Sequence, residues 1–317
     1  MSTGVTDGVA VEQMIYTWVF ALVNALVLLV YAPLLDGIGR KIRARIQRRR
    51  GPSILQTIYD LRKLYCMPGI IDGYSGRYAR YAPALTMALA IMAGLIIPSF
   101  LPADTGCDLI VAAYLLVAVS IALTYGSLSM SIPYSVVGGC REASLMMASE
   151  LCFAGAIASI AAAYGTLYIA VASPIIRLDP FKPSMIIAAA VLAIIAYVEG
   201  LNLPFEISEA EPELAGGALI GYGGRTLALL MHSSMIKETL FIALLVDLLF
   251  PWSILGTGPV GLVLRIAVFT VLTTFIYMVM RMLDTVYGRY TPRQAIRALK
   301  RVGLASIIAV ILASIGW

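Results

Sequence analysis

The sequence has few charged residues for its length. Charged side chains make up 13% of its 317 residues, apolar side chains make up 60%, and the mean hydropathy is +0.90. This composition lies far outside the range of soluble domains. A membrane span takes about 20 apolar residues, so eight spans would use roughly half of the chain and leave no room for a large soluble domain.

Cysteine and histidine are also scarce. Cys66, Cys107, Cys140 and Cys152 are scattered without a C-x-x-C pair, and His232 is the single histidine. Clustered thiolates and imidazoles are what zinc and iron–sulfur sites require. We therefore expect this chain itself to bind no cluster, haem or zinc.

Two further patterns are missing. The apolar runs do not show the ten-residue alternation of a membrane β-barrel, which favours helices. The first 13 residues are acidic and lack the basic region of a cleaved signal peptide, so we expect the first apolar run to be retained as a span. The predicted fold is an all-α integral membrane protein.

Apolar runs between charges, prolines and glycines predict about eight membrane helices in a single domain. The predicted spans are 13–34, 81–102, 108–132, 143–173, 184–205, 225–250, 259–283 and 302–317.

Basic residues are distributed very unequally between the two sides of this arrangement. The loop after the first span, residues 36–80, is rich in arginine, whereas the opposite loops offer only Arg177 and Lys182. The positive-inside rule then places the basic side in the cytoplasm and both termini outside. Because the basic run adjoins a span, we expect it to contact lipid or protein and no nucleic acid.

Gly51 and Pro52 divide the basic loop into two predicted helical pieces, of which the second is amphipathic. Composition allows two interpretations of this loop. It can lie in the anionic headgroup layer of the lipid bilayer, or it can be a docking surface for another protein.

Three glutamates stand within or at the ends of spans, where an ion is costly. Glu142 and Glu150 are eight residues apart, about 80° around a helix, so both can face one interior groove. Glu199 lies near the cytoplasmic end of the fifth span. None has an obvious cation, and closely spaced carboxylates in a low dielectric stay partly protonated near neutral pH. We therefore interpret the three as part of a proton path.

The remaining intramembrane charges are His232, Lys237, Glu238, Asp247 and Arg265. The favoured interpretation for Lys237, Asp247 and Arg265 is structural: Glu238 or Asp247 pairs with Lys237 or Arg265. His232 can join a proton path or serve as a hydrogen-bonded packing residue, and the second role is the commoner one.

A second charged loop, residues 206–224, is acidic. It holds four glutamates within eight residues, flanked by Pro204 and Pro212, and we add them to the predicted proton path: Glu206, Glu209, Glu211 and Glu213. Like charges this close repel one another unless cations offset them. Arg141, Arg225 and the basic loop on the same face are the available cations. Glycines at 216, 217, 221, 223 and 224 give the backbone freedom, so we predict a mobile carboxylate loop on the basic side.

Three segments carry a family resemblance. ARIQRRRGPSILQTIYDLRKL, the acidic segment from Glu199 to Gly217, and Gly139-Cys-Arg-Glu-Ala-Ser resemble signatures of the H subunit of respiratory complex I. The same signatures are similar to those of its homologues in group 4 membrane-bound NiFe hydrogenases. The segments cover the chain from residue 36 to about 225, and the eight-span count agrees with this family.

The resemblance implies a membrane subunit that joins a peripheral electron-transfer arm to ion-pumping membrane subunits. The expected partners are hydrogenase-like large and small subunits, an Fe–S subunit and antiporter-like subunits. Fe–S clusters with NiFe or flavin would lie in those partners, and quinone is possible. Docking of the arm is expected at Arg45, Arg48, Arg49, Arg50, Gly51, Pro52, Asp60, Arg141 and Arg225.

One departure bears on the choice of relative. Quinone-reducing members commonly carry a glutamate just before the tyrosine that ends the acidic loop, whereas Ile220 and Gly221 precede Tyr222 here. We therefore expect a hydrogenase-type coupling subunit in a prokaryotic cell membrane. The alternatives are a quinone-site subunit of a complex I-type enzyme and a stand-alone ion transporter.

Overall fold

The computed structural model describes residues 3–71, 73–102, 107–167, 182–209, 211–250, 252, 256 and 258–316. Side chains are described from Ile15 onward, except for those of residues 211 and 212. The helices of this part of the chain are α1 (Thr3–Ile46), α2 (Gln56–Cys66), α3 (Arg77–Ile96), α4 (Leu109–Leu128), α5 (Pro133–Tyr164), α6 (Pro183–Glu199), α7 (Glu211–Leu214), α8 (Arg225–Leu249), α9 (Pro259–Val286) and α10 (Pro292–Ile315).

Seven of these helices are long and apolar enough to cross a membrane, namely α1, α3, α4, α5, α8, α9 and α10. Helix α6 is apolar but has 17 residues, somewhat fewer than the roughly 20 that a perpendicular span requires. The predicted all-helical membrane fold is therefore confirmed, with α6 as a shorter eighth member of the bundle.

Several helix ends differ from the predicted spans. Helix α5 begins at Pro133 and not at residue 143, because proline suits the first turn of a helix. The Gly139-Cys-Arg-Glu segment therefore lies inside a helix and not in a loop. The helix ends before Gly165, which has a left-handed φ of 68°, and the predicted continuation to 173 passes outside the described residues.

The first and last helices begin or end outside their apolar runs. Helix α1 continues to Ile46, so the arginines up to Arg45 form helical turns beyond the predicted end at residue 34. Helix α10 starts at Pro292 and not at 302, because Thr291 and Gln294 form a capping box at its N-terminus. An apolar run predicts only the part of a helix that lies inside the bilayer. Helices α1 and α10 extend beyond that part, so their ends differ from the predicted ones.

Helix α8 is the centre of the bundle. In its most apolar 18-residue window 78% of the residues are buried, whereas the value for the other spans lies between 22% and 50%. It contacts α1, α3, α4, α6 and α9. A helix that is covered on all sides can place polar side chains against several neighbours, and α8 carries the charged residues Lys237, Glu238 and Asp247.

The two charged loops meet on one side of the bundle. Strand β1 (Ile70–Ile71) pairs antiparallel with β2 (Tyr222–Gly223), which joins the end of the basic loop to the end of the acidic loop. Near the start of the basic loop, Thr57 of α2 donates to Asp36 of α1 at 2.8 Å. Both loops are therefore held against the helices that they connect.

Gly138 allows the acidic loop to pack directly on α5. A Cβ atom at this position would lie 2.6 Å from the backbone nitrogen of Ala218 and 2.9 Å from the carbonyl oxygen of Ser208. Gly138 precedes Glu142 by four residues, so both lie on the same face of α5. The close approach at Gly138 therefore places the loop over the face that carries Glu142.

The substitution Gly138→Ala should destabilise the protein, because the backbone atoms around it cannot move aside without shifting the loop. Overpacking of this kind costs about 1–3 kcal/mol. Thermal unfolding in mild detergent measures the effect, and Gly288→Ala is the control, since a Cβ atom at Gly288 meets nothing within 4 Å. Equal melting temperatures for the two variants would contradict the close contact.

Candidate functional site

Glu199 is the centre of a buried polar cluster between four helices. Its Oε1 accepts a hydrogen bond from Ser149 of α5 at 2.7 Å, and its Oε2 accepts one from Ser120 of α4 at 3.0 Å. Lys237 of α8 lies 3.2 Å from the same Oε2 and also donates to the Ser120 hydroxyl at 2.9 Å. The side chains of Lys237 and Glu199 are only 4% and 10% exposed, so this is an ion pair in a low dielectric.

This pairing corrects two expectations from the sequence. Glu199 has a cation, although none was apparent, and Lys237 pairs with it and not with Glu238 or Asp247. The two residues are 38 positions apart on different helices. The sequence offers no periodic signal for such a contact, because it depends on how α6 packs against α8.

Glu238 belongs to a second ion pair, which sequence reasoning missed. Its Oε2 lies 2.7 Å from Nη2 of Arg281 on α9, and its Oε1 accepts a hydrogen bond from Asn202 at 3.2 Å. Arg281 also donates to Asn202 at 2.7 Å and to the Tyr277 hydroxyl at 2.8 Å. All of its donor nitrogens are therefore in use. The Arg281 side chain is only 14% exposed, although Arg281 stands near the end of an apolar run.

Asp284 forms a third contact between elements on the same side of the bundle. It accepts a hydrogen bond from the backbone nitrogen of Leu203 at 2.8 Å and forms an ion pair with Arg43. This residue, whose side chain is 2% exposed, was not identified from the sequence. The sequence feature that could have identified Asp284 is its position one helical turn after Arg281, at the end of an apolar run.

The charged residues of these three contacts line one polar cavity of about 350 Å³ on the side of the two charged loops. Carboxylates outnumber cations among its lining residues. The acids are Asp36, Glu142, Glu199, Glu206, Glu209, Glu238 and Asp284, and the cations are Arg40, Arg43, Lys237 and Arg281. Two acids of the loop thus reach the same space as Glu142 and Glu199, the other members of the predicted proton path that line this cavity.

Glu142 and Glu150 do not share a groove, contrary to the expectation from their spacing. Glu142 is 5% exposed and lines the polar cavity, whereas Glu150 lines a separate, mainly apolar groove of about 720 Å³ between α4 and α5. Each has one buried oxygen without a hydrogen-bond partner in the structure. Between them lies Ser149, the residue that binds Glu199.

Two ion pairs hold the acidic loop in place. Glu213 pairs with Arg141 at 2.8 Å, as expected from the sequence, and this hydrogen bond lowers the pKa of the Glu213 carboxyl. Glu206 pairs with Arg289 at 3.1 Å. Arg225, the second cation expected here, instead donates to the backbone oxygen of Tyr65. Glu209 reaches the polar cavity, and the side chain of residue 211 lies outside the described residues.

His232 is a hydrogen-bonded packing residue in the structure. Its Nε2 lies 2.9 Å from the carbonyl oxygen of Leu29, and its Nδ1 lies 3.0 Å from the hydroxyl of Tyr65 on α2. A carbonyl only accepts, so Nε2 carries the proton and Nδ1 accepts from Tyr65. Both ring nitrogens are used, and His232 joins α2 to α1 and α8.

Asp247 and Arg265 lie at the other end of α8 and form the pair that the sequence suggested. Their nearest charged atoms are 3.7 Å apart, and the Arg265 guanidinium lies 4.7 Å from the centre of the Trp252 ring. This pair is remote along α8 from the polar cavity, whose lining on that helix ends at Glu238.

The residues expected to dock a peripheral arm form an exposed corner between α1 and α2. Arg45, Arg48, Arg49, Arg50, Gly51 and Pro52 are all exposed. Asp60 pairs with Arg40 at 3.2 Å, and Arg141 and Arg225 contact the two loops as described. Within the described ranges, no group of three or more His, Cys, Asp or Glu residues is arranged to hold a metal ion.

The chain is similar in sequence and fold to subunits of oxidoreductase complexes. The sequence model of the NADH dehydrogenase family matches residues 19–315. Hydrogenase-4 component C of Escherichia coli (strain K12) is 30% identical over 241 residues, which cover 75% of this chain and 76% of that protein. Formate hydrogenlyase subunit 4 of the same organism is 28% identical over 247 residues, with 76% and 80% covered.

Two further similarities extend the comparison. NADH-quinone oxidoreductase subunit 8 of Rhodothermus marinus is 27% identical over 249 residues, which cover 71% of this chain and 69% of that protein. A chain of the membrane-bound sulfane sulfur reductase, an archaeal respiratory membrane complex, superimposes with a TM-score of 0.80 at 25% identity. The superposition covers 93% of this chain and 99% of the other.

The Lys237–Glu199 pair can be tested by a double substitution. Lys237→Met should destabilise the protein by about 3–5 kcal/mol, because it leaves a buried carboxylate without its cation. Adding Glu199→Gln removes that charge and should recover much of the loss. Thermal unfolding of the purified complex measures both changes, and Lys63→Met at an exposed cation serves as the control. A double variant as unstable as Lys237→Met alone would contradict the pairing.

Proposed function

This chain belongs to the NADH dehydrogenase family, as a subunit of the type called 1 or H, and from that premise we propose that it couples a hydrogenase-type peripheral arm to ion-pumping membrane subunits. It is a multi-pass membrane subunit of an oxidoreductase complex. The partners that we propose are hydrogenase-like large and small subunits, an Fe–S subunit and antiporter-like subunits. Redox cofactors would reside in the partners that carry out electron transfer.

The observation that carries this proposal is the polar cavity. It brings the loop acids Glu206 and Glu209 into one space with Glu142 and Glu199. Charge that changes in a docked redox subunit acts first on the loop and then, within the same cavity, on the buried ion pair of Glu199. Ion pairs in a low dielectric respond strongly to nearby charge. The cavity thus supplies a physical route from the arm into the membrane.

Glu199 and Glu150 supply the next step of the proposed path. Glu199 is bound to Ser149, whose neighbour Glu150 lines the separate, mainly apolar groove between α4 and α5. A change in the protonation of Glu199 is therefore felt by Glu150, which faces away from the polar cavity. We propose that this pair carries the signal across α5 toward the neighbouring membrane subunits.

The second candidate is a quinone-site subunit of a complex I-type enzyme. Members of this family include NADH-quinone oxidoreductase subunits, which supports it. Sites for ring-bearing organic ligands are mainly apolar with a few polar groups. More than half of the residues around the polar cavity are charged, so its lining fits ions and protons better than a quinone ring. A stand-alone transporter is disfavoured by the exposed basic corner, which suits docking.

We propose a prokaryotic cell membrane as the location, with the basic side of the bundle in the cytoplasm and both termini outside. The unequal distribution of basic residues supports this orientation. The proposed arm docks on the basic corner and the acidic loop, which lie on this same side.

A native pull-down of the tagged chain in mild detergent tests the proposed complex. Nickel and iron in the purified material, together with hydrogen evolution, are expected for a hydrogenase-type complex. Quinone reduction, with flavin and without nickel in the purified material, would instead support the second candidate, a quinone-site subunit of a complex I-type enzyme. Recovery of the chain alone, with ion uptake into proteoliposomes, would overturn both in favour of a transporter.

The acidic loop should be needed for coupling rather than for electron transfer. Glu206→Gln and Glu213→Gln each weaken a contact that holds the loop, to Arg289 and to Arg141. We expect fewer ions to be moved per electron pair while electron transfer continues. The measurement is ion uptake into vesicles at a known rate of electron transfer.

The matched control for this experiment is Asp108→Asn, at the start of α4 and at the opposite end of that helix from the charged loops. It removes one negative charge without touching the loop, so coupling should stay at the level of the unsubstituted protein. Unchanged coupling in both loop variants would show that the loop is not part of the mechanism.

A further inference from the structure

Helix α10 packs on the bundle through one narrow face. The residues of this face are buried and mostly small: Ala295, Leu299, Ser306, Ala309 and Ala313. Ser306 lies against Gly155 of α5, where a Cβ atom would approach its hydroxyl to 2.5 Å, and Cys152 donates to the carbonyl oxygen of Leu299 at 3.3 Å. The contacts fix which side of α10 faces outward.

The outward face carries a stripe with two parts, which we name the α10 stripe. The first part consists of four exposed cations: Arg293, Arg297, Lys300 and Arg301. The second consists of apolar side chains that are 52–64% exposed: Leu304, Ile307, Ile308, Ile311 and Ile315. At 100° per residue, all nine fall within about 120° of the helix circumference, opposite the buried face.

The cations of the α10 stripe are not neutralised within the described part of the chain. The ion pairs found there involve other cations, among them Arg281 near the end of α9 and Arg289 in the connection that leads into α10. Four like charges on one helical face repel one another. An anionic group outside the chain would relieve this repulsion.

The dimensions of the stripe match one leaflet of a bilayer. Its apolar part, from Leu304 to Ile315, rises about 16 Å, and one leaflet of the hydrocarbon core is about 15 Å deep. Its basic part rises about 12 Å from Arg293 to Arg301, and long basic side chains can extend toward the headgroup layer. The order of the two parts is that of a phospholipid, headgroup first and acyl chains next.

We propose that the α10 stripe is a binding site for anionic phospholipid. The phosphates of the headgroups bind the four cations, and the acyl chains lie along the five apolar side chains. The site selects anionic over zwitterionic lipid, because its cations form no ion pair with any carboxylate among the described residues. It lies away from the polar cavity and does not depend on the proposed role in coupling.

Photo-crosslinking in nanodiscs tests this site. The intact protein, with p-benzoylphenylalanine in place of Leu304, is placed in discs of equal phosphatidylglycerol and phosphatidylcholine with distinguishable acyl chains. Because each basic residue near an anionic surface strengthens binding roughly fivefold before screening, we expect about tenfold or greater enrichment of phosphatidylglycerol in the crosslinked product. Salt at about 1 M, which screens charge beyond roughly 3 Å, should remove most of the enrichment.

A second probe position controls for lipid contact as such. Val279 of α9 is 39% exposed, and the two cations nearest to it in sequence, Arg281 and Arg289, are in ion pairs. A probe in place of Val279 should therefore crosslink the two lipids in nearly equal amounts.

Substitution of the four cations distinguishes an effect of their charge on lipid binding from an effect on folding. Replacing all four by Gln should lower the lipid ratio at Leu304 to that at Val279. Arg293→Lys, Arg297→Lys and Arg301→Lys together should keep the ratio high, since the charge is retained. Three outcomes would each overturn the proposal. The first is a ratio of phosphatidylglycerol to phosphatidylcholine near one at Leu304 of the unsubstituted protein, and the second is a high ratio that survives the four Gln substitutions. The third is a crosslink from Leu304 to a protein subunit in the intact complex.

Discussion

The bundle depends on the neutralisation of two adjacent charges on its central helix. Lys237 and Glu238 follow one another on α8, so their side chains point about 100° apart and cannot share one partner. Each is buried, and a buried charge without a partner costs several kcal/mol. Lys237 is therefore matched by Glu199 of α6, and Glu238 by Arg281 of α9. These two requirements fix which helices lie on the two sides of α8.

The same requirement explains why the polar cavity lies on the side of the charged loops. The partners of the two α8 residues, Glu199 and Arg281, lie at or near the ends of their helices on that side. Asn202, shortly after α6, bonds to both members of the Glu238–Arg281 pair. The segment that follows α6 is in turn joined to α9 through Asp284 and Leu203. The segment that leads from α6 into the acidic loop thus contacts both members of the Glu238–Arg281 pair, which supports the proposed role of the loop in coupling.

The sequence predicts the fold well because the bilayer imposes a minimum length on apolar helices, and seven full spans with a shorter α6 satisfy it. Helix ends are predicted less well, since α1 and α10 extend past their apolar runs. The site is predicted in part. Glu142 and Glu199 do reach one cavity, but the partners of Glu199 and Glu238 depend on interhelical packing. Arg281 was missed because a count of basic residues treats every arginine near a helix end as a surface cation.

The distribution of cations within the molecule follows from the same energetics. The cations inside the bundle, Lys237, Arg265 and Arg281, are each matched by a carboxylate on a neighbouring helix and contribute no net charge there. The net charge of +5 must then be carried by residues outside these pairs. The most exposed cations outside these pairs lie at the corner between α1 and α2 and in the first turns of α10. The first is an irregular corner, which suits docking of another subunit, whereas the second continues into a membrane helix. In the second, the exposed cations continue directly into an exposed apolar surface of the depth of one leaflet, and this continuity is why we propose protein as the partner of the first and lipid as the partner of the second.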